Sequence, residues 1–224
     1  MGDSAVVATL GPGIDAATLD RVLGLSGAIS AAGRAGITDV VPAYASVTAF
    51  YDPAQFAEGP GDAYDTVCRF IESCAGRPKG AAAGPPPGRV EIPVCYGGVH
   101  GPDMGAVAEH CKVSADDVGR LHAAADYLVH AIGFTPGFPY LGGLPEALRT
   151  PRRDTPRAHV KAGSVAIGGP QTGVYPVDSP GGWRIIGRTP LALFRPGMSP
   201  AALLRPGDHV RFRAISPEEF TSWT

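Results

Sequence analysis

The residues best suited to chemistry lie between Gly133 and Phe194. Two Thr-Pro-Arg triplets, Thr150-Pro151-Arg152 and Thr155-Pro156-Arg157, repeat at a spacing of five, and Arg149 to Lys161 holds five basic residues against one acidic, Asp154. Guanidinium groups grip carboxylate or phosphate through two parallel N–H bonds, so such a loop suits a small anionic substrate. The plainer alternative is a solvated loop with ordinary charges. Around the triplets stand Phe134, Phe138, Tyr140, Tyr175 and Trp183, enough aromatic area for an apolar wall, with Pro136 between the first two. Gly137, Gly163, Gly181 and Gly182 let the backbone approach a ligand closely. Ser164, Gln171, Thr172 and Asp178 add polar groups, but none has a base beside it in sequence, so a nucleophilic triad is not supported. The density of Pro, Gly and aromatic residues excludes a simple helix and leaves either a structural corner or a binding wall.

Other chemistries find no footing. There is no phosphate-binding Gly-x-x-x-x-Gly-Lys loop, dinucleotide fingerprint, His-Glu-x-x-His pair or Gly-x-Ser-x-Gly elbow. Any ATP-driven step is therefore expected to place the nucleotide on another chain. The six histidines, at 100, 110, 122, 130, 159 and 209, are dispersed, and no metal site is expected. Cys68, Cys74, Cys95 and Cys111 show no Cys-x-x-Cys spacing and read as buried free thiols. A formal net charge of −2 gives no reason to expect nucleic acid or an anionic membrane as the partner. Met1 to Thr9 has no basic and apolar leader pattern, and no long apolar run follows, so a cytoplasmic protein is expected.

The elements that must position these residues fall into two halves. With 224 residues, 44% of them apolar, the chain has material for one large or two small cores, and 31 Gly with 23 Pro favour turns and short strands. Ser4 to Leu10 reads as a strand, Asp15 to Leu25 as a helix, and Ile37 to Val41 and Ala45 to Tyr51 as strands separated by Pro42. Asp62 caps a helix whose Val67, Phe70, Ile71 and Cys74 share one face. This β-α-β-β-α order predicts a two-layer sandwich, to which Arg89 to Tyr96 is a candidate further strand. The Gly/Ala/Pro-rich segment Gly76 to Gly88 reads as a linker or mobile loop, which sets provisional domains of 1–88 and 89–224. Asp103 and Ser114 are candidate N-caps for two further helices, the second carrying Val118, Leu121, His122 and Ala125 on one stripe. His122 there is either a hydrogen-bonded, half-buried histidine or a catalytic one. Six short segments then follow at period two: Tyr127–Ile132, Ser164–Gly168, Gly173–Pro176, Trp183–Gly187, Leu191–Phe194 and Asp208–Arg213. They predict a small closed or nearly closed β-barrel. The fold class expected is α+β.

Longer motifs carry a resemblance. Gly133-Phe-Thr-Pro-Gly-Phe-Pro-Tyr-Leu-Gly-Gly-Leu144, Pro151-Arg-Arg-Asp-Thr-Pro-Arg157, Gln171-Thr-Gly-Val-Tyr-Pro176 and Ser179-Pro-Gly-Gly-Trp183 resemble the KipI / allophanate hydrolase subunit 1 family. Pro42-Ala-Tyr-Ala-Ser46, Ile92-Pro-Val-Cys-Tyr96 and Gly101-Pro-Asp103 extend the likeness over nearly the whole chain. The family includes PxpB, the B-subunit of the ATP-dependent 5-oxoprolinase. The resemblance implies an N-terminal α/β domain followed by a cyclophilin-like β-barrel. It implies a partner of the KipA / allophanate hydrolase subunit 2 type (PxpC-like), with a PxpA-like third chain. No cofactor is expected on this chain alone, ATP being consumed by the complex. Within that reading Arg152 or Arg157 holds a substrate carboxylate. Phe134, Pro136, Gly137, Phe138, Tyr140, Ser164, Thr172, Gly181, Gly182 and Trp183 line the site, and His122, Gln171 or Tyr175 assists proton movement. Alternatives within the family are a sensor-histidine-kinase inhibitor and a component of the urea carboxylase or allophanate pathway. Prolyl isomerisation would rest on fold analogy alone.

Overall fold

The structure is a computed structural model, and it describes residues 4–56, 62–76 and 86–223. The described chain forms two compact units, Met1–Pro86 and Pro87–Thr224. Most of the segment read as a linker, 77–85, lies outside the described residues. Among the described residues no helix is long and apolar enough to cross a membrane.

In the first unit β1 (Ala5–Thr9), α1 (Ala16–Ala31), β2 (Ile37–Ala43), β3 (Ser46–Tyr51) and α2 (Ala63–Ala75) follow in order. The strands make an antiparallel sheet in the order β1-β3-β2. Central β3 alternates strictly, burying Val47, Ala49 and Tyr51, and these pack with Val22, Leu25 and Ile29 of α1 and Val67, Phe70 and Ile71 of α2. Both helices start where a carboxylate satisfies an orphan N–H: Asp15 accepts from Thr18 N and Asp62 from Asp65 N, each at 2.8 Å. Two expectations change. Pro42 does not end β2, because β2 is an edge strand and its missing donor faces no partner; the chain turns instead at Tyr44, whose φ is 53°. Arg89–Tyr96 also does not join this sheet, since it pairs in the second unit.

That second unit continues with β4 (Arg89–Tyr96), α3 (Met104–Cys111), α4 (Ala115–Ala124), β5 (Asp126–Ile132), β6 (Pro139–Gly142), β7 (Arg157–Val160), β8 (Ser164–Gly168), β9 (Gln171–Val174), β10 (Ser179–Gly181), β11 (Arg184–Arg188), β12 (His209–Ala214) and α5 (Pro217–Thr221). Seven strands close a barrel in the order β11-β4-β12-β5-β6-β9-β8, with β11 pairing back to β8. The apolar alternation of β4 explains its recruitment. In parallel register Val90 faces Val210 and Ile92 faces Phe212, so two buried faces coincide. Leu191–Phe194 forms no strand. After Pro190 the chain inserts Leu193 into the interior cluster, and Phe194 makes only an isolated bridge to Ala202.

Barrel closure sorts side chains by parity. Val165, Ile167 and Val174 point inward, to a core shared with Ile92, Leu141 and Phe212. Ala166 joins a second apolar cluster with Phe138, Val160, Tyr175, Trp183 and Ile185, which lies on the outer side of β8 and β9. The two-stranded ribbon of β7 and β10 runs beside it.

Candidate functional site

The outer cluster is the aromatic wall anticipated from the sequence. Phe138 is its hub, with ring centroids 5.0 Å from Tyr140, 5.2 Å from Tyr175, 5.5 Å from Trp183 and 5.6 Å from Phe134. All four contacts are edge-to-face, the arrangement that the ring quadrupoles favour. Glycines make this density possible. A Cβ on Gly168 would meet the Trp183 indole at 2.5 Å, one on Gly173 the Phe138 ring at 2.8 Å, and one on Gly181 would overlap the Tyr175 hydroxyl. Phe138, Tyr175 and Trp183 are consequently buried and form a floor, whereas Phe134 stands 62% exposed above it. Phe134 also holds φ at 70°, a left-handed conformation that a non-glycine residue adopts only at a cost in steric strain, within a tight loop where Gly137 sits at φ 82°. Pro136 is exposed at the tip of that loop and Gly137 packs against Phe194.

The arginine loop does not behave as its repeat suggests. Arg157 donates from both terminal nitrogens to Asp103, at 2.7 and 2.9 Å, and Arg153 adds a third bond at 3.1 Å. The Ile185 N–H donates to the same carboxylate at 2.7 Å. Burial alone would push the Asp103 carboxyl up, but these donors together hold it below the usual carboxylate range. Arg157 is therefore committed to the fold, and the expectation that it holds a substrate carboxylate is corrected. With Arg149 paired to Glu146 at 2.7 Å, Arg152 is the exception among the loop's arginines. It is exposed, and its guanidinium carbon lies 5.6 Å from the Trp183 ring centroid. Among the described residues it forms no ion pair.

His122 is removed from the site altogether. It is fully buried inside the barrel, with its ring 4.5 Å from Phe212 and 5.2 Å from Tyr127. Thr172 donates its one hydroxyl proton to Ala166 O at 3.0 Å, so it accepts from His122 Nε2 at 2.9 Å, and Nδ1 is left to accept from the Tyr96 hydroxyl at 2.7 Å. Burial pushes the His122 pKa down to about 3, which keeps the ring neutral. Neither the catalytic expectation for His122 nor the ligand-lining one for Thr172 holds, because both side chains face the interior. The half-buried reading of His122 also gives way to a fully enclosed one.

The remaining anticipated residues are distributed around the wall. Tyr175 is in the floor, its phenol pKa pushed up chiefly by burial, with the Trp183 backbone N–H and Arg152 pulling the other way. Gln171 opens β9 opposite Gly168, which packs on Trp183, so it lies at the rim. Ser164 is buried at the base, and its carbonyl accepts from Tyr175 N at 2.9 Å. Gly182 accepts Arg153 N at 2.7 Å and so links the loop to the wall. Asp103 and Arg153 were not singled out as site residues. Their signal was faint: an acid after Gly-Pro reads first as a helix cap. A separate open groove of about 820 Å³ between α3 and α4, lined by Tyr96, Gly98, Met104, Gly119 and Arg120, contains none of the anticipated residues.

The wall thus presents an exposed ring, Phe134, and a loop arginine, Arg152, beside a buried aromatic floor. The model of the carboxyltransferase domain, subdomain C and D, matches residues 1–204. The chain belongs to this carboxyltransferase-domain family. Its relatives include the 5-oxoprolinase B-subunit of Bacillus subtilis (strain 168), 40% identical over 229 residues, which span 100% of this chain and 94% of the relative. The 5-oxoprolinase B-subunit of Escherichia coli O157:H7 is 44% identical over 213 residues, covering 95% and 93%. Among family structures, the crystal structure of TTHA0988 superposes with a TM-score of 0.81 at 37% identity, over 95% of this chain but only 40% of that one. This chain thus spans less than half the length of that solved relative.

Proposed function

We propose that this chain is a non-autonomous member of an ATP-consuming complex that opens the lactam of 5-oxoproline to glutamate, and that the Arg152–Trp183 face binds the substrate's carboxylate and ring. The observation that carries this reading is the commitment of Arg153 and Arg157 to Asp103, which leaves Arg152 as the loop cation available beside an aromatic floor. A guanidinium set over an indole is pre-oriented for a carboxylate, and the exposed Phe134 ring above the floor offers a surface for the lactam ring. The near full-length kinship with proteins named as the 5-oxoprolinase B-subunit supports the same substrate. The wall supplies binding and orientation, and the absence of a phosphate-binding loop from the sequence fits activation by PxpC-like and PxpA-like partner chains. A cytoplasmic location belongs with this reading.

The test is to purify the chain with those partners and follow ATP hydrolysis against a panel of 5-oxoproline, allophanate and buffer alone. Turnover that depends on 5-oxoproline and on all chains supports the assignment. A complete complex that turns over allophanate and ignores 5-oxoproline overturns it.

A further inference from the structure

A single buried carboxylate ties the strand that follows Trp183 to the loop that carries Arg152. Asp103 occupies the N-cap position of α3, yet its side chain makes no capping bond to that helix. Its backbone N–H donates to Ile185 O at 2.9 Å while its carboxylate accepts from Ile185 N at 2.7 Å, a two-point seam with β11. The same carboxylate takes Arg157 and Arg153 on its other side. Further bonds close the frame: Arg153 N donates to Gly182 O at 2.7 Å, and Arg184 Nε donates to Pro151 O at 3.3 Å. The residues flanking Arg152 are thus fastened to the residues flanking Trp183, and Asp103 is the group on which the frame converges.

We propose that Asp103 is a positioning residue for anion binding: it fixes the height of the Arg152 guanidinium over Trp183 and engages Arg153 and Arg157, so that Arg152 faces the ligand without a competing cation or an internal partner. The capping role that its position suggests is not performed, and removal of the charge would leave two arginines close to the wall with no carboxylate between them. Those guanidiniums would then compete for the indole face and for an incoming anion. The proposal rests on the reading of this face as a carboxylate site.

The test uses the isotope-labelled full chain, with the Arg152 Nε–Hε signal assigned by its loss in R152A. In the wild type the indole ring current displaces that signal from the position of exposed arginines. In D103N, and to a smaller extent in R153Q, the displacement should collapse, and the Kd for 5-oxoproline should rise about tenfold or more. An unmoved Arg152 signal in folded D103N overturns the proposal, as does a D103N chain with a lowered Tm and the wild-type Kd. If D103N does not fold, R153Q decides by the same two readouts. If the wild type binds no 5-oxoproline, the reading of the face fails on its own, and the ring-current displacement alone decides the role of Asp103.

Discussion

The Tyr96 hydroxyl donates to Nδ1 of His122 across 2.7 Å, and the bond joins the end of β4 to α4 within the barrel. Because the folded ring stays neutral down to about pH 3 while an unfolded histidine protonates near 6.5, the unfolded chain binds more protons throughout that window. Stability should therefore fall as pH drops from 6.5 toward 3, by up to about 1.4 kcal/mol per pH unit. Urea melts at pH 7 and pH 4.5 should give a loss about 2–3 kcal/mol larger in the wild type than in His122→Gln. Equal losses would assign the acid sensitivity to carboxylates instead.

Arg152 and Arg157 should separate cleanly. Arg152→Ala removes an exposed side chain and should weaken 5-oxoproline binding about 10–100-fold, with a Tm close to the wild type. Arg157→Ala leaves the Asp103 carboxylate short of its bidentate partner and should cost about 3–5 kcal/mol of stability. Calorimetric titration and thermal melts on both variants check the contrast, and a reversed pattern would refute the division of roles.

Adjacent glycines should respond differently to the same methyl group. On Gly181 a Cβ overlaps the Tyr175 hydroxyl, whereas on Gly182 the nearest atom, in Pro156, is 3.5 Å away. Gly181→Ala is expected to destabilise by about 1–3 kcal/mol, and Gly182→Ala by no more than about 0.5 kcal/mol, in urea melts.

Phe134 combines exposure with a positive φ, so its ring contributes more to the surface than to the fold. Phe134→Gly relieves the backbone and should change stability by less than about 1 kcal/mol in either direction. Binding of 5-oxoproline should weaken severalfold in the same variant. A variant that loses stability yet keeps full affinity would make Phe134 a structural residue.

Much of this protein was legible from local sequence. Asp15, Asp62 and Ser114 cap helices because a capping side chain bonds an N–H three residues ahead, a relationship contained in one turn. The face of α2 and the alternation of β3 and β4 are likewise short-range patterns, as is the Gly- and aromatic-rich character of the wall. What the sequence left open were choices between equivalents. Two Thr-Pro-Arg triplets look alike until Asp103, some fifty residues upstream, takes Arg157 and leaves Arg152. Thr172 and Gly173 are neighbours, but barrel closure turns the first toward His122 and the second toward Phe138. Arg89–Tyr96 suited either sheet until the register with β12 brought its buried face to the barrel. Periodicity and capping are set by residues a few positions apart, so the sequence alone determined them; partner, facing and free charge depend on groups that only the closed barrel brings within hydrogen-bond reach.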